Sequence, residues 1–222
     1  MDKEFVITED GSHTIYIPEM DEHYHSTHGA IQESLHIYIN QGLFQVEKQE
    51  ISILEIGFGT GLNAYLTYAF GESKKLKINY SSIEKFPLDE VDYSKLNYSR
   101  NIFPEYSSVF EEMHRSEWDK IVEISPEFSL QKVHADLLSF EFNQLPQFDL
   151  VYYDAFAPVK QPEMWTDQII QKVSACVKKD GILVTYCAKG SVRRAFTAAG
   201  FVMERIPGPI GKKEILRGKK TI

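Results

Sequence analysis

The chain is poor in the features that mark a membrane-bound or secreted protein. Its 222 residues include two cysteines, Cys176 and Cys187, too few for a disulfide framework. Both lie in runs that read as buried helix and strand, where a small apolar residue is the simplest expectation. No apolar stretch approaches the roughly 20 residues of a membrane span. The opening MDKEFVITEDGSH lacks the apolar core of an export signal, so a cytoplasmic protein is expected. No internal repeat, low-complexity tract or Pro/Gly/Ser-rich linker divides the sequence. Residues 1–222 therefore read as a single domain, long enough to bury a core.

Positive charge is scarce in the first two thirds. Residues 1–154 carry 27 acidic and 11 basic side chains, a balance of −16, whereas residues 155–222 carry 5 and 13, a balance of +8. The net charge of −8 argues against a polyanionic partner, but this asymmetry fits a basic face on an acidic body. A solvated, lysine-rich C-terminal region is the plainer alternative.

Strand-like runs alternate with helical ones, which predicts a mostly parallel sheet with helices on both faces. The strands are expected at Ile51–Ile56, Ile78–Ile83, Gln131–Ala135, Phe148–Tyr153, Gly181–Tyr186, Phe201–Ile206 and Lys213–Arg217, seven in all. Helices are expected at Leu62–Phe70, Leu88–Asn97, Thr166–Val177 and Ser191–Ala199, the last closed by Gly200. Two segments exceed this plan. Residues 1–45 hold a short strand at Thr14–Ile17, stopped by Pro18, and a helix over Ala30–Asn40. Residues 98–130 hold a hairpin, Ile121–Ile124 and Phe128–Val133, expected as an insertion before the third core strand. Both extensions are candidates for substrate recognition.

The run Glu55-Ile56-Gly57-Phe58-Gly59-Thr60-Gly61 follows an apolar strand and opens a helix. Glycines serve where φ is positive or where a ligand must approach the main chain, and free N–H groups at a helix start attract an anionic group. A dinucleotide loop reads GxGxxG, with its third glycine one position later. The spacing here resembles instead the first motif of class I (Rossmann-like) S-adenosylmethionine-dependent methyltransferases. That resemblance implies cofactor contacts from Glu55, Gly57, Phe58, Gly59, Gly61 and Asn63. Glu84, followed by Lys85, ends the second strand and is suited to accept from the ribose hydroxyls. Asp136, followed by Leu137, ends the third and suits the adenine amino group. Ligands of open α/β sheets bind at these strand ends.

The fourth strand ends in Asp154-Ala155-Phe156-Ala157-Pro158, the place where amino-methylating enzymes carry a polar–aromatic–proline motif. With GFGTGLN, IEKFP and DAFAPVKQPEMW, with Ser191–Arg194, Ala199–Phe201 and Gly211–Glu214, and with Tyr24–Ser26, Gly29 and Glu33-Ser34, the chain resembles the methyltransferase portion of the MnmC family. The resemblance implies methylation of the 5-aminomethyl group on a tRNA wobble uridine, commonly 2-thiolated, to 5-methylaminomethyl. It also implies a stand-alone form without the fused flavin oxidase, and neither flavin nor metal is expected. Asp154 is then the catalytic candidate, orienting the amine; a neighbouring cation is expected to lower its pKa and leave it a weak base. Phe156 and Pro158 would shape the uracil pocket, and Trp165 is equally well a core residue. Lys160, Lys189, Arg193, Arg194, Lys212 and Lys213 are candidate phosphate contacts. A methyltransferase for a small amine or another RNA position, an aminopropyl-transferring relative, and a non-catalytic cofactor-binding module remain open at this stage. A dehydrogenase is the weakest alternative, because Gly61 falls one position early.

Overall fold

The computed structural model describes residues 2–142 and 145–221. Its core is an eight-stranded sheet in the order β10-β11-β9-β8-β4-β5-β7-β6. The strands are β4 (Glu50–Ile56), β5 (Lys77–Glu84), β6 (Ile121–Ser125), β7 (Phe128–His134), β8 (Phe148–Tyr153), β9 (Val177–Thr185), β10 (Phe201–Pro207) and β11 (Glu214–Lys220). β7, β5, β4, β8 and β9 run parallel. Antiparallel neighbours finish both edges. A separate three-stranded sheet, β1 (Glu4–Ile7), β2 (His13–Ile17) and β3 (Glu22–His23), forms an N-terminal arm.

The middle strands β4 and β8 are buried along most of their length because helices cover both faces of the sheet. Ile51 and Ile53 of β4 pack in one cluster with Tyr65 and Tyr68 of α2 (Leu62–Lys74). Leu54 and Ile56 pack in the other with Ile170 of α6 (Asp167–Ala175) and Phe196 of α7 (Gly190–Ala198). The four β4 residues are at most 1% exposed. Burial of each is worth roughly 1.5–3 kcal/mol, so the interior fixes this strand before any ligand is considered. No helix among the described residues is long and apolar enough to cross a membrane.

Four expectations need correction. The sheet has eight strands rather than seven, because the hairpin is not an insertion ahead of the third core strand. Its second arm is that strand: β7 pairs antiparallel with β6 and parallel with β5. The helix expected over Leu88–Asn97 is reduced to α3 (Glu90–Tyr93), with α4 (Tyr98–Asn101) after it. α3 closes in a turn at Ser94 and Lys95, and Asn97 then ties the chain to the arm, accepting from the His13 N–H at 2.8 Å and donating to the Gly11 carbonyl at 2.9 Å. The fourth correction concerns Ala30–Asn40, which is α-helical only over α1 (Ala30–Ser34) and widens into a π-type turn over Leu35–Asn40. Ile37, Tyr38 and Ile39 are all buried, and three consecutive inward side chains do not suit a 3.6-residue period.

Candidate active site

The strand order reverses between β4 and β8, and the crevice at such a switch point is where ligands of open α/β sheets bind. The Gly57 N–H donates to Ile83 O at 2.9 Å and the Asp154 N–H to Ile56 O at 3.1 Å, which locks the two loops leaving β4 and β8 to the sheet. Gly57, Gly59 and Gly61 have φ of +92°, +51° and +72°, a region costly for side chains. A Cβ on Gly57 would lie 3.1 Å from the Asp154 carbonyl oxygen, and one on Gly59 would lie 3.0 Å from the Tyr24 ring. Glycine suits these positions by its conformation and by the closeness of what faces it.

Two buried histidines hold the loop from behind. His25 Nε2 lies 2.8 Å from Thr60 Oγ1, and His114 Nε2 donates to the Thr60 carbonyl at 3.1 Å. Burial pushes their pKa values down to about 4 and about 3, so both are neutral braces at physiological pH. His114 belongs to α5 (Ser107–Arg115). Residues 98–130 thus buttress the loop and contribute none of the cavity lining.

In front of the loop is a cavity of about 650 Å³, ample for a small-molecule cofactor. Glu84 reaches into it with its carboxylate oriented by two backbone donors, Gly59 N–H at 3.0 Å and Phe86 N–H at 2.7 Å. Asp136 accepts from Lys85 at 2.7 Å and from the Leu138 N–H at 3.0 Å. The Lys85 bond holds its carboxyl below the usual range. Phe58, Asn63 and Leu137 also face the cavity, alongside Gly57 and Gly59. Gly61 and Glu55 do not. Gly61 caps α2 in the left-handed conformation. Glu55 is fully buried beneath the cavity, accepting from Ser82 Oγ at 2.8 Å.

Asp154 ends at the cavity floor and accepts from Asn63 Nδ2 at 2.8 Å. Enclosure by protein pushes its carboxyl up to about 7. This reverses the expected lowering: the nearest cation on the lining, Lys212, is already paired with Glu33 at 3.1 Å, and burial outweighs its residual field. Phe156 lines the cavity with its ring edge-to-face against Tyr24, centroids 5.1 Å apart. Trp165 is a core residue that also holds the site, since its indole N–H donates to Phe156 O at 2.8 Å.

The expected phosphate contacts separate into three groups. Lys160 is tied to Asp21 of the arm at 3.1 Å. Lys212 lies over the Tyr186 ring and sits on the boundary between the cavity and a shallower groove. That groove is lined by Pro158, Val159, Lys189 and Lys213. Arg193 and Arg194 are exposed on α7, outside both hollows.

Sequence reasoning left Tyr24, Glu33, Tyr38 and Tyr186 out of the site. Residues 17–27 of the arm form one wall. Tyr24 and Glu33 fell within the family-like N-terminal pattern, which was the available signal. Nothing local marks Tyr38, which reaches Asp154 only through the widened helical turn, or Tyr186, whose hydroxyl donates to Ala155 O at 2.9 Å.

The lining fits S-adenosylmethionine by its charge. Six acids (Glu22, Glu33, Glu84, Asp136, Asp154 and Glu163) stand against two lysines, Lys85 and Lys212, both engaged by acids. Such a surface favours a sulfonium and disfavours a pyrophosphate. Among the described residues no cluster of His, Cys, Asp and Glu is arranged to hold a metal ion.

Known proteins agree with this geometry. A family described as S-adenosyl-L-methionine-dependent methyltransferase matches residues 97–221. The bifunctional protein MnmC of tRNA 5-methylaminomethyl-2-thiouridine biosynthesis from Pseudomonas entomophila is 30% identical over 223 residues, covering 91% of this chain and 33% of that protein. Its namesake from Pseudomonas savastanoi pv. phaseolicola is 29% identical over 212 residues, covering 88% and 31%. The chain therefore spans about a third of the length of these relatives. The crystal structure of MNMC2 from Aquifex aeolicus aligns with a TM-score of 0.74 at 27% identity, over 99% of this chain and 70% of that one. Spermidine synthase from Thermotoga maritima shares the fold, with a TM-score of 0.59 at 13% identity over 100% and 73%. The chain belongs to the family of S-adenosyl-L-methionine-dependent methyltransferases.

Proposed function

We propose that the chain methylates the 5-aminomethyl group of a wobble uridine in the anticodon region of tRNA, giving 5-methylaminomethyl. The observation that carries this reading is Asp154, with its carboxyl near 7 at the floor of an acidic cavity. Similarity to the MnmC relatives supports the choice of acceptor. An alkyl ammonium has a pKa near ~10 and must lose its proton to become a nucleophile. Transfer to an ordinary carboxylate near ~4 is uphill by about 6 units, or ~8 kcal/mol. Transfer to a carboxyl raised to about 7 halves that to ~4 kcal/mol.

S-adenosylmethionine, when bound, supplies an electrophilic methyl group. Glu84, Asp136, Leu137 and the loop from Gly57 to Asn63 are the residues that would hold it. Glu55 and Gly61 act from behind them. Asp154 accepts the amine hydrogen bond and then the proton, while Phe156 and Tyr24 flank the base. Pro158, Lys189, Lys212 and Lys213 line the route for the neighbouring phosphates, with Arg193 and Arg194 extending the basic face.

The test is incubation of the purified chain with labelled S-adenosylmethionine and tRNA carrying 5-aminomethyluridine, followed by nucleoside analysis. Label in 5-methylaminomethyluridine is expected. Label at another position, in a small amine or nowhere rejects the assignment. In single-turnover runs Asp154→Asn should be slower by about 10²-fold or more, with cofactor affinity retained. The wild-type rate should rise as pH passes about 7.

A further inference from the structure

The arm that walls the cavity is fastened firmly at its base and lightly at its tip. At the base, Asn97 bonds to both His13 and Gly11, and Lys3 pairs with Asp92. Past the tip, His25 Nε2 lies 2.8 Å from Thr60 Oγ1, and the Ser26 N–H donates to Glu33 at 2.7 Å. Between these anchors is the turn from β2 to β3, where Pro18, Glu19 and Asp21 are exposed. Among the described residues, one contact alone ties residues 16–23 by hydrogen bond or ion pair to the chain beyond residue 23. Lys160 Nζ donates to Asp21 Oδ2 at 3.1 Å.

That contact bridges two walls of the cavity. The lining takes Met20, Glu22 and His23 from either side of Asp21, and Ala157, Gln161 and Glu163 from around Lys160. Neither Asp21 nor Lys160 lines the cavity itself. Asp21 is aimed by its turn. Its φ is +47°, in the left-handed region that aspartate and asparagine enter more readily than most residues. The Tyr16 hydroxyl donates to its other carboxylate oxygen at 3.0 Å.

We propose that the Asp21–Lys160 pair is a latch on cofactor exchange. When it breaks, the β2–β3 turn swings away from the loop that leaves β8, S-adenosylmethionine enters or its spent form leaves, and the pair then re-forms. An exposed ion pair suits this task because it is weak, whereas a buried tie would hold the arm shut. The pair joins protein to protein from outside the lining, so it counts equally with and without cofactor. Its loss therefore changes rates of exchange and leaves affinity in place. The charge of Lys160, expected to meet a phosphate, serves the arm instead.

The test is exchange of S-adenosylhomocysteine, the spent cofactor, followed by stopped-flow mixing without RNA. Asp21→Asn keeps a residue tolerant of positive φ, and Lys160→Met keeps the stem while removing the charge. Each should raise the association and dissociation rates together by about two- to fivefold, with Kd unmoved. The double variant should be no faster than the faster single variant, and Lys160→Arg should stay near wild type. Raising salt about tenfold should speed exchange in wild type more than in either single variant. Unchanged rates overturn the latch, and so do additive effects in the double variant. A rise in dissociation alone, with Kd weakened in step, overturns it as well, since that marks damage to the cavity wall. No tRNA enters these measurements. Rejection of the proposed acceptor would leave the latch standing, and unchanged exchange rates would leave the acceptor standing.

Discussion

Asp154 and Lys132 are titratable groups that folding shifts in opposite senses, and they give opposite signatures in stability. The Asp154 carboxyl is raised to about 7, so the folded state holds a proton that the unfolded state has already released. Its contribution is full at acid pH and is lost as pH climbs through about 7. Asp154→Asn should consequently melt at a higher temperature than wild type above pH 7, and the gap should close under acid conditions. Lys132 is buried on β7, donating to the His114 carbonyl at 2.7 Å and lying over Trp118, and burial lowers its pKa to about 8. The folded state sheds this proton first, so stability should gain as pH rises from about 8 toward the ordinary lysine value near ~10.4. Thermal melts of Lys132→Met should lack that alkaline gain. Neither shift was legible in the sequence. The identity and position of Asp154 were, but its environment depends on Tyr38, Asn63 and Lys212, which are far from it along the chain.

Elements were read best where their signals are local. The edges of β8 were anticipated to the residue, since its run is apolar but for Asp149 and lies between Gln147 and Asp154. The glycine loop was equally plain, because positive φ leaves few alternatives to glycine. Gly61→Ala should cost about 1–2 kcal/mol from backbone conformation alone. A further loss is expected because the new Cβ would sit 2.8 Å from His114 Nε2. That ring cannot yield easily, being stacked on Tyr93 with centroids 4.3 Å apart. Gly11, with φ of +80° and nothing within 4 Å of its Cβ position, isolates the backbone cost. Urea unfolding should show Gly61→Ala the more destabilised of the two, and equal losses would remove His114 as a brace. The elements that were misread are those set by distant partners. The helix expected over Leu88–Asn97 gives way to two short helical turns, with Asn97 tied to the arm between them. The widened turn after Ser34 follows from burying three successive residues, and local propensity does not report that.

At the scale of the whole molecule, the charge asymmetry seen in the sequence resolves into a carboxylate-lined cavity beside a lysine-bearing groove. If the groove tracks phosphates, tRNA affinity should fall steeply with salt. Lys189→Ala combined with Lys213→Ala should flatten that log–log slope by roughly 1.4, about 0.7 for each single-strand phosphate. An unchanged slope would remove the groove from the binding face, and the Arg193→Ala/Arg194→Ala pair tests how far the face extends along α7. The cavity itself joins distant parts of the chain, with Glu33 tied to Lys212 and Asp21 to Lys160. His36 is bonded to Pro207 O across 171 positions. Ribosomes deliver a chain from its N-terminus at about 5–20 residues per second. The arm therefore emerges many seconds before Lys212 exists to close against it. The tie between Glu33 and Lys212 can form only after the turn between β10 and β11 has been synthesised, so a growing chain has its glycine loop well before it has a closed pocket.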